Sequence, residues 1–152
     1  MDWADELAAS VDGPQVINDS KTPSGTVHVG SLRGPVILDV IVRAMRARGL
    51  DITYLYGVDD MDPMDAQALL TPDAVDRYMG VPLAHVPAPE GSTAESYARY
   101  FVGELFMGTF AGLGIQPTIY WMSELYGNGS MDPYIRTALD HAQQIREIYS
   151  RV

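Results

Sequence analysis

The chain reads Thr22-Pro23-Ser24-Gly25-Thr26-Val27-His28-Val29-Gly30-Ser31 between a brief apolar run and a long amphipathic stretch. The apolar run, residues 15–18, predicts a strand, and residues 19–25 after it predict a loop. A helix is predicted from Val29 to about Arg48, because apolar residues recur at helical spacing and Gly49 follows as a C-terminal cap residue. The clearest row of this helix is Leu32, Val36, Val40 and Ala44.

Two further strands are predicted downstream of this helix. Residues 52–58 are apolar and aromatic and end in Asp59-Asp60, and residues 118–122 form a third run of this kind. A strand, a helix and a second strand in this order are typical of a parallel sheet with a right-handed crossover. We therefore expect the α/β class, with an open parallel sheet and flanking helices.

The segments around this unit are predicted to be partly helical. Residues 3–11 would form a short helix, one side of which is made of Trp3, Leu7 and Ser10/Val11. Residues 61–89 contain five prolines, and we expect them to be irregular apart from helical turns at 65–70 and 72–79. A long irregular loop inside a compact domain is usually functional.

Two longer helices are predicted in the second half of the chain. The first is capped by Ser92 or Thr93 and runs to about Gly112. Its inner stripe is Tyr97, Phe101, Glu104/Leu105, Gly108 and Ala111/Gly112. The second begins with Asp132 as cap and Pro133 as the first helical residue, and no closing cap follows it, so we expect a chain that is cut short. Its stripe is Tyr134, Ala138, Ala142, Ile145, Ile148 and Tyr149.

Composition and charge limit what the chain can be. Its 152 residues, 47% of them hydrophobic, suffice for one domain with a core and argue against disorder. No apolar run reaches the roughly 18 residues of a membrane helix, and the absence of cysteine excludes disulfides and Cys-ligated zinc. Together with an acidic start that does not resemble a signal peptide, these features lead us to expect a cytoplasmic protein without a membrane partner.

The net charge of −10 opposes tight binding of RNA by this chain alone. Several arginines nevertheless fall together in the predicted helix at residues 29–48. We interpret them as a solvated face that balances nearby acids rather than as an RNA-binding stripe. They are Arg33, Arg43, Arg46 and Arg48.

The loop at residues 22–31 has the features of a phosphate-binding site. Ligands of an open α/β sheet gather at the carboxyl ends of the strands, and a helix N-terminus there offers N–H groups and a partial positive charge. Gly25 and Gly30 let a nucleotide approach the backbone, and His28 can donate a hydrogen bond to phosphate. The sequence has no Gly-Lys-Ser/Thr phosphate loop and no Gly-x-Gly-x-x-Gly fingerprint, so His28 could instead merely cap the helix.

A longer pattern around this loop resembles the first signature of class I aminoacyl-tRNA synthetases, His-Ile-Gly-His. Here it reads Thr22-Pro23-Ser24-Gly25, then His28-Val29-Gly30-Ser31 and Arg33. The surroundings are similar to the class I lysyl enzymes in particular. That similarity runs in order through Trp3-Ala4-Asp5, 17–25, 31–34, 57–62, 78–83, 86–89, 95–98, 113–115 and 123–126.

The resemblance implies both a fold and a reaction. Residues 1–122 would be the first half of a nucleotide-binding catalytic domain with a Rossmann-like sheet, and residues 123–152 would begin the connective insertion helix. The reaction would be attack of the lysine carboxylate on the α-phosphate of ATP, with Mg²⁺, to give lysyl-adenylate. Transfer of lysine to tRNA(Lys) would follow.

The resemblance also implies roles for individual residues. His28 and Ser31 would be catalytic, and Ser20 and Thr22 would hold the amino acid, with loop hydrogen bonding as the alternative for these two. No metal ligand is implied. The ATP-binding residues would be Thr22, Pro23, Ser24, Gly25, His28, Gly30 and Ser31.

The sequence departs from the family pattern in several ways. Ser31 stands where the signature has its second histidine, so a catalytic role for this position is less secure. The second class signature, Lys-Met-Ser-Lys-Ser, is missing, and Lys21 is the only lysine in the chain. Zinc-binding cysteines and a helical anticodon-binding domain are absent as well. We therefore expect the missing carboxy-terminal half of the catalytic domain to leave these 152 residues barely active or inactive.

Other interpretations remain open at this point. The chain could be a glutamyl-type synthetase or a small nucleotidylyltransferase, although Ser31 speaks against the latter. It could also be a non-catalytic module that derives from a synthetase and binds ATP or a protein. The acids Asp59, Asp60 and Asp62 could bind magnesium or an ammonium group, but we favour turn and cap roles for them.

Overall fold

A computed structural model describes residues 3–65 and 70–151, apart from the side chains of residues 104 and 105. The strands are β1 (Gln15–Lys21), β2 (Ile52–Val58) and β3 (Thr118–Trp121). The helices are α1 (Trp3–Ala9), α2 (Val29–Ala47), α3 (Pro72–Tyr78), α4 (Tyr97–Tyr100), α5 (Met107–Leu113), α6 (Met122–Gly127), α7 (Asp132–Asp140) and α8 (Ala142–Tyr149). A short 3₁₀ turn lies at Leu83–His85, and a π-helical segment joins α4 to α5.

The strands form one open sheet in the order β1-β2-β3, and both neighbouring pairs are parallel. This confirms the predicted α/β class. Strand β1 is longer than predicted, because Asp19, Ser20 and Lys21 continue the ladder opposite residues 56–58 of β2. These three polar residues lack strand propensity, but the partner strand supplies their hydrogen bonds. The predicted loop therefore begins at Thr22.

Helices α2 and α5 cover the same face of the sheet. Tyr54 and Tyr56 alternate with their neighbours on β2 and so share one face. The Tyr54 hydroxyl donates to the carbonyl of Pro35 in α2 at 3.2 Å, whereas the Tyr56 ring meets the Phe110 ring of α5 edge-on, with 5.2 Å between centroids. The opposite face is open at β1, where Val16 is 67% exposed.

The predicted long helix after residue 92 differs from the structure at its start and in its buried stripe. It begins at Tyr97 with Ser96 as its cap, and residues 101–106 form a π-helix. A π-helical turn holds more residues than an α-helical one, so the inner face shifts and Gly108 becomes exposed. The residues buried along this segment are Tyr97, Ala98, Phe101, Val102, Phe106 and Phe110.

The predicted buried faces of the first and the last helix differ from the structure. In the first helix other residues are buried, and in the last region the predicted stripe is exposed. Helix α1 buries Ala4 and Ala8, whereas Trp3 is 53% exposed, because small residues allow α1 to approach α2 closely. At the other end, Met131 rather than Asp132 caps α7, and His141 separates α7 from α8. The predicted stripe of these helices is exposed throughout.

The segment between β2 and β3 packs as a small second cluster beside the sheet. Helix α3 confirms the predicted turn at residues 72–79, whereas the turn predicted at residues 65–70 falls largely outside the described residues. The buried members of this cluster are Met64, Leu83, Val86, Tyr97 and Ala98. Among the residues that the structure describes, no helix is both long and apolar enough to cross a membrane.

Candidate functional site

The junction between β1 and α2 places an exposed imidazole at the start of a 19-residue helix. His28 is the N-cap residue, and its backbone is extended. Its Nδ1 accepts a hydrogen bond from the Gly30 N–H at 3.0 Å. In a neutral imidazole whose Nδ1 accepts, the hydrogen resides on Nε2. The capping bond therefore fixes the tautomer that has Nε2–H as its donor.

Gly30 is required for this placement of the imidazole. A Cβ atom at position 30 would lie 2.7 Å from Cε1 and 2.9 Å from Nδ1 of His28. Both distances are shorter than carbon–carbon or carbon–nitrogen contacts allow. The glycine in the His-x-Gly pattern thus lets the imidazole fold back onto the helix, in addition to exposing backbone to a ligand.

The loop before His28 is fixed by neighbours rather than open to solvent. The Thr22 hydroxyl donates to Oδ2 of Asp62 at 2.5 Å, and the Ser24 N–H donates to the Thr22 carbonyl at 2.8 Å. Pro23 is buried. Gly25 has a φ of +66°, and a Cβ atom added to it would have no other atom within 4 Å. Backbone strain rather than crowding therefore favours glycine at position 25.

Sequence reasoning missed Asp19, which lines a polar crevice beside the β1–α2 junction. Its carboxylate lies against Gly34 of α2, where an added Cβ would approach Oδ2 closely enough to clash. It also accepts the Ser20 N–H at 2.9 Å. The polar crevice around it has a volume of about 200 Å³. Its lining residues are Asp19, Ser20, Lys21, Gly30, Ser31, Gly34, Pro35 and Tyr56.

The negative charge of Asp19 helps to raise the pKa of two buried tyrosines. Burial raises the pKa of Tyr54 to about 12, and the negative charges of Asp39 and Asp19 contribute to the rise. Burial likewise raises the pKa of Tyr56, with Asp19 as the largest charge contribution. Both phenols therefore stay neutral at physiological pH. No local sequence pattern marks Asp19, because its contact with Gly34 depends on how α2 packs beside β1.

One of the three acids after β2, Asp60, has a structural role of the kind that we favoured for them. Asp60 is 2% exposed, and its carboxylate accepts the Ser123 N–H at 2.8 Å and the Ser123 hydroxyl at 2.5 Å. It thereby caps the first turn of α6. Within the described ranges, no three acidic, histidine or cysteine residues are grouped as a metal site.

Two arginines of α2 contact neighbouring groups of the protein. Arg43 pairs with Asp39 one turn earlier at 2.5 Å and donates to the Gly114 carbonyl at 3.0 Å. Arg46 donates to the carbonyl of Ile52 at 3.5 Å. These contacts join α2 to its neighbours and take up donor groups that an RNA-binding surface would offer to phosphate.

Comparison with known proteins decides the family. The family described as "tRNA synthetases class I (K)" matches residues 1–152. The chain belongs to the class I lysyl-tRNA synthetase family. The lysine–tRNA ligase of Picrophilus torridus is 32% identical over 100% of the chain, and that of Thermoplasma acidophilum is 32% identical over 99%. The lysine–tRNA ligase of Methanocaldococcus jannaschii is 31% identical over 99%.

The chain spans only about 30% of the length of these lysine–tRNA ligases. Within it, at the start of α2, lies the segment His28-Val29-Gly30-Ser31, which resembles the first signature of class I aminoacyl-tRNA synthetases. Ser31, the fourth residue of that signature, takes part in the cap. Its Oγ accepts the His28 N–H at 2.9 Å and donates to the His28 carbonyl at 2.7 Å.

The structure brings most of the predicted site residues of this lysyl-tRNA synthetase family member to one edge of the sheet. Ser20, Gly30 and Ser31 line the crevice with Asp19, and His28 lies exposed beside Gly30. Thr22 instead turns its hydroxyl to Asp62. For Thr22, loop hydrogen bonding is thus the role that the geometry favours.

Proposed function

We propose that this chain supplies the nucleotide-binding half of an enzyme that activates lysine with ATP and ligates it to tRNA(Lys). The observation that carries the proposal is the exposed, tautomer-fixed His28 at the N-terminus of α2. A helix of 19 residues contributes a partial positive charge at this end. Triphosphate oxygens are the ligand chemistry that such an end and an Nε2–H donor suit best.

In the proposed activation step, a carboxylate oxygen of lysine attacks the α-phosphorus of ATP. The bond from the α-phosphorus to the bridging oxygen breaks, and pyrophosphate leaves with both bonding electrons. Negative charge grows on the α-phosphate oxygens during this step. The Nε2–H of His28 and the partial positive charge of the α2 N-terminus would stabilise that charge from fixed positions, which is the largest source of catalysis open to these residues.

Ser31 acts indirectly in this proposal. Its hydroxyl hydrogen is already directed to the His28 carbonyl, so Ser31 holds the cap that aims the imidazole. Pro23, Ser24 and Gly25 would shape the nucleotide loop, and Gly30 would let the phosphates approach the helix. Thr22 would support this loop from its bond to Asp62.

The crevice around Asp19 fits the lysine substrate. A half-buried carboxylate beside an exposed strand end attracts an ammonium group, and Ser20 offers a further polar group in the same crevice. Mg²⁺ is expected to enter with the phosphates of ATP and to keep several of its waters, as is usual for this ion in nucleotide sites. When bound, it would neutralise charge on the leaving pyrophosphate.

The transfer step requires parts that lie beyond the matched 30% of the relatives. In this step a ribose hydroxyl of the tRNA attacks the carbonyl carbon of lysyl-adenylate, and AMP leaves. A net charge of −10 makes these residues a poor RNA surface, so we expect other parts of the enzyme to hold the tRNA. The domain division at residue 122 and a cytoplasmic location belong to the same proposal.

Thermal-shift titration of the 152-residue protein tests this function. We expect lysyl-sulfamoyl adenosine, a stable mimic of the adenylate, to raise the melting temperature, and the glutamyl analogue to have little effect. His28→Ala should weaken binding by about 1.5–3 kcal/mol, the usual value of a hydrogen bond to a charged group, or roughly 10- to 100-fold. His85→Ala is the matched control, because His85 is an exposed histidine in the 3₁₀ turn.

Each result of that titration has a definite meaning. Equal stabilisation by the glutamyl analogue would favour a glutamyl-type synthetase. No response to any adenylate analogue would refute nucleotide binding and leave a protein-binding module. We further expect ATP–pyrophosphate exchange with lysine to stay near background for the chain alone, and exchange at rates typical of whole enzymes would contradict that expectation.

A further inference from the structure

The nucleotide loop is held at both ends by residues from the segment that follows β2. At its start, Asp62 accepts the Thr22 hydroxyl at 2.5 Å. Asp62 is itself fixed by backbone bonds, since its carbonyl accepts the Leu83 N–H at 3.0 Å. Leu83 is 0% exposed and belongs to the second cluster of the core. The acid at position 62 therefore links the loop to a rigid part of the molecule.

The other end of the loop, at Gly25, is held by Tyr97, and we call Tyr97 and Asp62 the two anchors of the loop. This tyrosine is 0% exposed, begins helix α4 and donates its backbone N–H to the Val86 carbonyl at 2.7 Å. Burial raises the pKa of Tyr97 to about 12, although a hydrogen bond with the Gly25 backbone lowers it in part. The phenol oxygen of Tyr97 can accept a hydrogen bond from a backbone N–H, and its backbone partner is Gly25.

These contacts leave little freedom to the four residues from Thr22 to Gly25. Pro23 is buried, and Gly25 adopts a left-handed conformation that glycine takes without strain. Gly25 is also the last glycine before the His28 cap, so its orientation sets the direction in which the chain enters α2. A ligand at the helix N-terminus would meet a loop that is already ordered.

We infer that Tyr97 and Asp62 are positioning residues that hold the loop Thr22–Gly25 in the shape required for nucleotide binding. This inference rests on the proposed function for its ligand but not for its geometry. Neither residue touches the nucleotide in this scheme. Their effect passes through Gly25 and Thr22, so loss of either anchor should weaken nucleotide binding without unfolding the domain.

The test uses hydrogen exchange and ATP·Mg²⁺ binding on the ¹⁵N-labelled chain. In Tyr97→Phe, which removes only the phenol oxygen, we expect the Gly25 amide to exchange at least about threefold faster, because one hydrogen bond is lost. Amides of β2 should keep their protection. ATP affinity should fall roughly threefold to tenfold. The matched control is Tyr100→Phe, one turn along the same helix and only half-buried.

A second variant tests the other anchor independently. Asp62→Ala removes the oxygen that accepts the Thr22 hydroxyl, and it should lower ATP affinity by a similar factor. Adding Thr22→Val in a double variant should then lower the affinity no further. If the two losses add in full, Asp62 does not act through Thr22, and the inference is wrong for that anchor.

The outcomes separate this inference from the proposed function. A wild-type chain that binds no ATP would refute the proposed function and the ligand part of this inference, whereas faster exchange at Gly25 in Tyr97→Phe would still establish the anchor. Wild-type binding of ATP with unchanged affinity in both variants would refute the positioning roles alone. Unchanged exchange at Gly25 would overturn the anchor itself.

Discussion

Replacing Gly30 with alanine should change the stability of the chain little but lower its affinity for nucleotide. The added Cβ would lie 2.7 Å from Cε1 of His28, but the imidazole is exposed and can rotate into solvent. The cost is then mainly the lost Nδ1 bond, about 1 kcal/mol. Alanine in place of glycine returns up to about 1 kcal/mol of helix propensity. We expect the free energy of unfolding to change by no more than about 1 kcal/mol.

Nucleotide affinity should respond differently to Gly30→Ala. Once displaced, the imidazole no longer has a fixed tautomer or direction, so we expect ATP affinity to fall about tenfold or more. Urea unfolding measures the first quantity, and calorimetric titration with ATP·Mg²⁺ the second. Gly108→Ala is the matched control, because Gly108 is an exposed helical glycine with no atom within 4 Å of its Cβ position.

Two results would refute this reasoning about Gly30. A decrease of more than about 3 kcal/mol in the free energy of unfolding would mean that the imidazole cannot move away and that position 30 is a packing site. Unchanged ATP affinity would mean that the placement of His28 over Gly30 plays no part in binding. Gly108→Ala should gain up to about 1 kcal/mol of stability with no change in affinity.

Three other predictions follow from contacts around the site. Asp60→Ala should cost about 2 kcal/mol or more in urea unfolding, because it leaves two donors of Ser123 unpaired. Ser123→Ala removes only the hydroxyl bond and should cost about 1 kcal/mol, so a larger loss in Ser123→Ala than in Asp60→Ala would contradict the capping role. Gly34→Ala should displace the Asp19 carboxylate and lower lysine affinity in the presence of ATP. It should also lower stability, and adding Asp19→Ala should restore that stability. If the double variant is no more stable than Gly34→Ala, the clash is not the cause of the loss. Above about pH 10, stability should decline, because unfolded tyrosines ionise at their ordinary pKa while the buried ones stay protonated. Each such tyrosine lowers the free energy of unfolding by up to about 1.4 kcal/mol per pH unit until its own raised pKa is reached. Chemical unfolding at about pH 9 and about pH 11, with tyrosinate absorbance as a second probe, measures the effect, and equal stability at both values would contradict it. The tyrosines concerned are Tyr54, Tyr56 and Tyr97.

The parts of the fold that could be predicted are those in which local pattern and tertiary packing agree. Helix α2 carries a wide apolar stripe and a glycine stop, and its observed bounds, Val29–Ala47, lie within one residue of the prediction. The three strands were likewise predicted from their apolar runs. Because strand, helix and strand alternate, the parallel order of the sheet followed from connection rules alone.

The errors arose where a partner element overrides local preference. Asp19, Ser20 and Lys21 extend β1 because β2 offers them a ladder, which no single-strand pattern reveals. The π-helical segment shifts the inner face of the long helix, so the stripe predicted from α-helical spacing failed at Gly108 and Ala111/Gly112, which are exposed. The predicted side chains of Glu104/Leu105 lie outside the described residues. In α1, packing against a neighbour selected Ala4 and Ala8 over the larger apolar residues.

Only part of the site could be predicted from the sequence. His28 and Gly30 were predicted as phosphate-binding residues from residue type and position, and the structure places them side by side. Their binding of phosphate stays a prediction. The contributions of Asp19, Asp62 and Tyr97 depend on contacts between segments far apart in the chain. Such contacts leave no local pattern, so they appear only once the fold is known.

Chemical-shift perturbation during titration of the ¹⁵N-labelled chain with ATP·Mg²⁺ tests the site most directly. If the β1–α2 junction binds the triphosphate, the largest shifts will come from the amides of Gly25, Gly30 and Ser31, with the His28 ring protons moving in step. Saturating ATP that leaves these signals in place, or that shifts only α7 and α8, would contradict nucleotide binding at this end of the sheet.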